Sequence, residues 1–222
     1  MTLQLIAQTT GQYRYADHNS EELIAAIARH GKIKEDNGKL VRYLMDNRHW
    51  SPLDMINFVF QIETSRAIGR ELLRHRSMCF QETSQRYEKR VDFEPFQLRK
   101  QAEHNRQSST EVFDPVINVG WEAEMKASEA IEKHLAAAYR LNLALLNAGV
   151  ARECARFILP EATTTTIHAN GTLRSWLAFL NVRMDKAAQK EMQDIARAIG
   201  GQLESQLPNV FATIDWRNGL FM

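Results

Sequence analysis

Cysteine is scarce in this chain. Its 222 residues hold two, Cys79 and Cys154, and no C-x-x-C pair. That argues against a disulfide framework or a structural zinc site, and it suits a reducing cytosol. Long apolar runs are missing as well. Stretches such as Met55–Phe60 and Trp176–Leu180 fall far below the roughly 20 residues needed to span a bilayer. The opening MTLQLIAQTTG has neither a basic start nor a long apolar centre, so no signal peptide is expected. Neither sign of charge is in excess: Lys+Arg 28 against Asp+Glu 27 leaves +1. General binding to nucleic acid or to a membrane draws on a basic surplus, so neither partner is expected. No G-x-G-x-x-G occurs, so a dinucleotide would have to be held without a Rossmann fingerprint.

What is present suits a cytoplasmic globular protein of one domain, 1–222, with no metal: 44% apolar and 25% charged residues. Leu3–Thr9 alternates as a strand does. Ser20 offers an N-cap before Glu21 and Glu22, opening a helix that stops at Gly31. Leu40–Met45 is helical, and Ser51-Pro52 is a turn or helix start. Asn57–Glu63 alternates with aromatic and β-branched residues, predicting a strand. Ser65–Arg76 returns to a helical pattern. From Met78 to Arg90 no period wins, and a loop with a short strand near Gln85–Tyr87 is expected; Phe93–Pro115 reads as irregular. Trp121–Asn147 is the longest helix, ended by Gly149. A short helix over Arg152–Phe157, a β-prone Thr163–His168 and helices over Thr172–Arg183 and about 186–207 complete the chain. The expected class is α+β, helix-dominant, with a small central antiparallel sheet.

The even overall charge hides a local imbalance. Residues 66–90 hold Arg66, Arg70, Arg74, Arg76, Arg86, Lys89 and Arg90 against Glu71, Glu82 and Glu88. On one helix Arg66, Arg70 and Arg74 would share a face and repel, so something must compensate. Two readings stay open. One is a solvated basic face paired with acids elsewhere. The other is an anion site, because the planar fork of Arg matches phosphoryl oxygens.

Arg74-His75-Arg76, seven residues, then Ser84 followed by Arg86-Tyr87 (RHRSMCFQETSQRY) resembles the signature of flavin-dependent thymidylate synthases. Its four fixed positions coincide by accident in roughly one chain per thousand of this length. Three further segments follow the family's order. His49-Trp50-Ser51-Pro52 resembles its His-x-Thr/Ser-Pro turn. Arg152-Glu153-Cys154-Ala155-Arg156 with Leu159-Pro160 resembles its R-E-x-A-R-x-x-L-P. Arg174-Ser175-Trp176 through Arg183 resembles its N-x-R-S/A helix, which ends in an essential Arg. The match covers most of residues 40–200, and residues 93–118 match nothing.

The resemblance implies reductive methylation of dUMP to dTMP. The carbon would come from 5,10-methylenetetrahydrofolate and the hydride from FADH2 replenished by NADPH, in a homotetramer with FAD across subunit interfaces. By the same resemblance Ser51, Arg74, His75, Arg76, Glu82, Thr172, Arg174 and Ala178 are FAD positions. Glu71, Arg74, Glu82, Ser84, Gln85, Arg86, Arg156 and Arg183 are dUMP positions, and His49 lies on the folate side. Arg183 is the catalytic candidate: its counterpart ionises uracil N3, and a permanent cation suits charge developing on a pyrimidine. The alternative is a helix-terminal Arg satisfying carbonyls. Its helix, apolar nearly all round over Trp176–Val182, is expected to be buried, which would require an anion for Arg183. His75 between two arginines should resist protonation. Ser84 has no evident base to make it a nucleophile, and both cysteines read as small buried residues.

Some positions depart from the family pattern. Glu71 stands where Gln is frequent and needs Arg70 or Arg74 to neutralise it. Gln81, Gln85 and Thr172 replace Asn, Gly and Asn, and Ala178 can make no side-chain hydrogen bond. Rival readings are a flavoprotein reductase without methyl transfer, and a nucleic-acid binder using the Arg cluster with steep salt dependence.

Overall fold

In the computed structural model the chain is described except for Ile33, Glu35, Asp36, Lys89, Arg90, Trp121, Glu122, Leu220 and Met222. Lys89, Arg90 and the expected helix start at Trp121 therefore lie outside the described residues. In chain order the elements are β1 (Thr2–Gln8), α1 (Ser20–Ala28), α2 (Gly38–Asp46), β2 (Asn57–Ser65), α3 (Arg66–Leu72) and β3 (Cys79–Glu82). Then come β4 (Arg99–Gln101), β5 (Ser109–Val112), β6 (Val116–Ile117), β7 (Met125–Lys126), α4 (Ala127–Asn147) and α5 (Arg152–Ala155). β8 (Thr164–Thr172), α6 (Leu173–Arg183), α7 (Lys190–Gln206) and α8 (Pro208–Phe211) end the chain. The fold is α+β, with a four-stranded antiparallel sheet of order β1-β2-β8-β3.

The chain divides into two compact units, residues 1–62, 71–81 and 167–222, and residues 63–70 and 82–166. In the first unit, period-2 alternation drives Phe58, Phe60 and Ile62 of β2 and Ile167 and Ala169 of β8 into the core. On the opposite face His168 meets Gln61, Nε2 to Oε1 at 3.2 Å. α6 lays Trp176, Leu177, Phe179 and Leu180 on that core, all essentially inaccessible. Each such side chain contributes roughly 1.5–3 kcal/mol through burial. Trp176 packs edge-on to Phe60 at 4.9 Å and donates its Nε1–H to the Phe58 carbonyl at 3.1 Å, so its one polar atom is satisfied. α7 closes the unit through Met192, Ile195, Ile199 and Leu203. Gly200 lets it approach Trp216, whose ring would meet a Cβ there at 2.1 Å.

In the second unit α4 begins where Asp114 accepts hydrogen bonds from Ser128 N and Oγ, both 2.8 Å, and ends before Gly149 at φ +88°. Of its 21 residues only Ala127, Ala138 and Asn142 are buried.

Several expectations need correction. Asn19, not Ser20, caps α1, in a reciprocal capping box with Glu22; the Ser20 hydroxyl instead reaches the Thr9 carbonyl. The expected strand near Gln85–Tyr87 is a turn, and the strand lies earlier, at Cys79–Glu82. Within Phe93–Pro115, β4 and β5 pair as an antiparallel hairpin. α3 ends at Leu72, so Arg74 is not on the helix that carries Arg66 and Arg70. Both cysteines are exposed: Cys79 on the outward side of β3, and Cys154 on a one-turn helix that buries only Ala155.

Candidate active site

Along α6, Trp176, Phe179, Leu180 and Arg183 fall at i, i+3, i+4 and i+7, so Arg183 extends the buried stripe of the helix. Its polar neighbours come from the end of α3 and the turn after it. Nε of Arg183 donates to Nε2 of His75 at 3.0 Å, Nη1 to Oε2 of Glu71 at 3.1 Å and Nη2 to the Glu71 carbonyl at 3.4 Å. A guanidinium only donates, so Nε2 of His75 must carry a lone pair and the ring is neutral. Burial, followed by the positive charge of Arg183, lowers the pKa of His75 to about 4. The ring is also edge-on to Phe179, 5.0 Å between centroids. His75 thus resists protonation as expected, but the cation nearest its ring nitrogen is Arg183 rather than its chain neighbours.

Glu71 has its neutralising cation in Arg183 and not in Arg70 or Arg74. Arg70 is paired with Glu161 at 2.8 Å. Side-chain exposures of 19% for Arg183 and 30% for Glu71 leave the pair half-buried, and two of the five guanidinium N–H groups remain uncommitted. The burial expected around Trp176–Val182 is one-sided. Arg174, Ala178 and Val182, at i, i+4 and i+8, form an exposed stripe of α6.

The other expected cofactor positions of this unit lie at the start of α6 and in neighbouring turns. Thr172 caps α6, accepting from Ser175 N at 3.2 Å, and Arg174 pairs with Asp54 at 3.2 Å. Asp54 belongs to the one-turn segment Ser51–Met55, whose first residue, Ser51, is exposed. His49, just before it, lies edge-on to Tyr43 at 5.9 Å. Arg74 and Arg76 are exposed and have no acidic partner among the described residues.

Glu82, Ser84, Gln85, Arg86 and Arg156 belong to the second unit. β3 ends at Glu82, and a turn follows in which Ser84 O accepts from Tyr87 N and Glu88 N, each 3.0 Å, and Ser84 Oγ from Arg86 N at 3.3 Å. Arg86 and Tyr87 are exposed. α5 gives way to a 3-10 turn at Arg156, which with Arg66, Arg152 and Gln85 lines a small pocket. Arg66 lies there 18% exposed, donating to Glu82 at 2.9 Å. Burial lowers its pKa, and Glu82 opposes the shift.

Sequence reasoning missed Asp54, Phe179 and Thr165, and left Arg66 without a partner. Helical spacing from Arg183 reaches Phe179. No local pattern reveals the pairing of Arg66 with Glu82, 16 residues away.

Comparison with known proteins identifies the family of the chain. Residues 4–209 match the family described as Thymidylate synthase complementing protein. The chain is 36% identical over 199 residues to the flavin-dependent thymidylate synthase of a Synechocystis species, covering 88% of this chain and 90% of that protein. A probable flavin-dependent thymidylate synthase of Paramecium bursaria Chlorella virus 1 is 35% identical over 205 residues, covering 90% and 92%. The flavin-dependent thymidylate synthase of Kosmotoga olearia is 37% identical over 189 residues, covering 83% and 80%. The chain belongs to the flavin-dependent thymidylate synthase family, as the four motif segments imply, and its role is that of an enzyme in thymidylate synthesis. Among the described residues no helix is long and apolar enough to cross a membrane.

Proposed function

We propose that this protein makes dTMP from dUMP in the cytoplasm, with the carbon from 5,10-methylenetetrahydrofolate and the hydride from FADH2 that NADPH replenishes. The observation that carries the proposal is Arg183, held by Glu71 and His75 with N–H groups to spare. Such a preorganised cation strengthens its interaction as the pyrimidine becomes anionic, which is the condition for lowering a barrier rather than merely binding substrate. In this reading Arg86 and Arg156 bind the phosphate, Ser84 donates a hydrogen bond to the nucleotide, and Gln85 and Glu82 complete its polar surroundings.

The chain's residues fit a flavin dinucleotide. Arg74 and Arg76, exposed and without acidic partners among the described residues, suit a diphosphate. Ser51, Thr172 and Arg174 offer polar contacts and Ala178 an exposed apolar one. A reduced flavin would supply the hydride. His75, neutral and fixed through Arg183, can offer Nδ1–H to a ligand, and His49 is assigned to the folate side.

A homotetramer is part of the proposal. α4 leaves Tyr139 and Leu143, one turn apart on one face, each at 45% exposure, an apolar surface that a second copy would cover. The test of function is the purified protein mixed with FAD and dUMP. A flavin spectrum that shifts on adding dUMP, with dTMP formed once folate and NADPH are present, supports the proposal. Flavin reduction that neither needs dUMP nor yields dTMP identifies a plain reductase instead.

A further inference from the structure

Arg66 lies outside the motif segments and has no part in the function proposed above. It opens α3, where its backbone N–H donates to the Thr163 carbonyl at 2.9 Å. Its guanidinium forks: Nη1 donates to Oε1 of Glu82 and Nη2 to the Thr83 carbonyl, each at 2.9 Å. The same Glu82 oxygen accepts the Thr165 hydroxyl at 2.9 Å. Thr83 is tied down too, its N–H donating to the Thr166 carbonyl at 2.9 Å. The end of β3 is therefore clamped immediately before Ser84, where the nucleotide-binding turn begins. Nε of Arg66 is buried without a hydrogen-bond partner among the described residues. A surface ion pair placed only for solubility would not bury a guanidinium nitrogen unpaired, since that costs free energy.

We infer that Arg66 is a positioning residue for nucleotide binding: its two-point grip on Glu82 and Thr83 sets the carboxylate and the Ser84–Arg86 turn in the geometry that receives dUMP. The inference rests on the reading that Glu82, Ser84 and Arg86 bind the nucleotide. A planar fork can hold a carboxylate and a carbonyl at once, and a lysine ammonium, a point charge on a flexible stem, cannot hold both in fixed geometry. Thr165 shares the task by fixing the same oxygen.

The experiment measures steady-state kinetics, bound FAD, melting temperature and dUMP affinity by calorimetry on full-length Arg66→Lys, Thr165→Val and Ser84→Ala. Arg66→Lys should raise KM for dUMP about tenfold, with kcat within about twofold and FAD content unchanged. Thr165→Val should raise KM about threefold and provides the test if Arg66→Lys does not fold. A purely structural Arg66 would lower melting temperature while KM stays put, and that result overturns the inference. KM unchanged in both Arg66→Lys and Thr165→Val but raised in Ser84→Ala overturns the positioning role alone. KM unchanged in all three overturns the nucleotide-binding reading on which it stands.

Discussion

Nε of Arg183 donates to Nε2 of His75 at 3.0 Å, a contact that only a neutral imidazole can accept. Protonating His75 breaks that bond and sets two cations against each other. The native pKa, about 4, lies below the ordinary 6.5, so between those values the unfolded chain binds more protons than the native one. The stability that His75 contributes is fully present above about pH 6.5 and declines as pH falls toward 4. Melting temperature should therefore fall through this window, and less steeply in His75→Gln. Equal slopes for the two proteins would contradict the assignment.

The side chain of Glu71 holds Arg183 by charge and by one hydrogen bond, and the two contributions separate by substitution. Glu71→Gln keeps an oxygen acceptor for Nη1, and a half-exposed pair loses at most about 1 kcal/mol of stability. Turnover should persist in Glu71→Gln. Glu71→Ala leaves the guanidinium less constrained, and kcat/KM for dUMP should fall tenfold or more. Equal activities of the two variants would show that Glu71 does not position Arg183.

Exposure of Cys79 and Cys154 makes covalent roles easy to check. Cys79→Ser and Cys154→Ser should retain most turnover. Ser84→Ala should weaken dUMP binding by about 1–2 kcal/mol, the scale of a single hydrogen bond. Mass spectrometry of enzyme quenched during turnover should find no nucleotide attached to any of the three, and a nucleotide adduct on one would overturn this account.

The sparsely buried α4 predicts assembly. Light scattering should report a tetramer, and Tyr139→Glu with Leu143→Glu should dissociate it, because two carboxylates on one face of α4 would be desolvated at the interface. A fully active monomeric wild type would refute the assembly.

What the sequence makes legible follows from physical range. β2 and α6 can be read directly because Phe58, Phe60 and Ile62 keep period 2, and Trp176, Phe179, Leu180 and Arg183 keep the helical spacing. The hairpin of β4 and β5 cannot, because all four residues of Ser109–Val112 are exposed and carry no alternation of burial. β3 is equally obscure: four residues with one aromatic, joined through Thr83 to Thr166 far along the chain. The site divides the same way. The resemblance makes Arg183, His75 and Glu71 site candidates, yet that Glu71 is neutralised by Arg183 rather than by Arg70 or Arg74 depends on how the end of α3 lies against α6. Arg66 and Thr165 reach Glu82 across 16 and 83 residues, beyond any local pattern.

Arg183→Ala removes the guanidinium on which the proposed chemistry depends. Bound flavin, melting temperature and dTMP formation should be measured on the same preparation, beside Arg183→Lys. Losing one preorganised electrostatic contact in a water-poor site costs about 10²–10³ in kcat, so dTMP formation should fall by at least a hundredfold. FAD content and melting temperature should stay near wild type, with kcat falling more than KM rises. Arg183→Lys should recover only part of the rate, since it keeps the charge and loses the planar fork. Wild-type turnover by a folded, flavin-loaded Arg183→Ala protein would contradict the account.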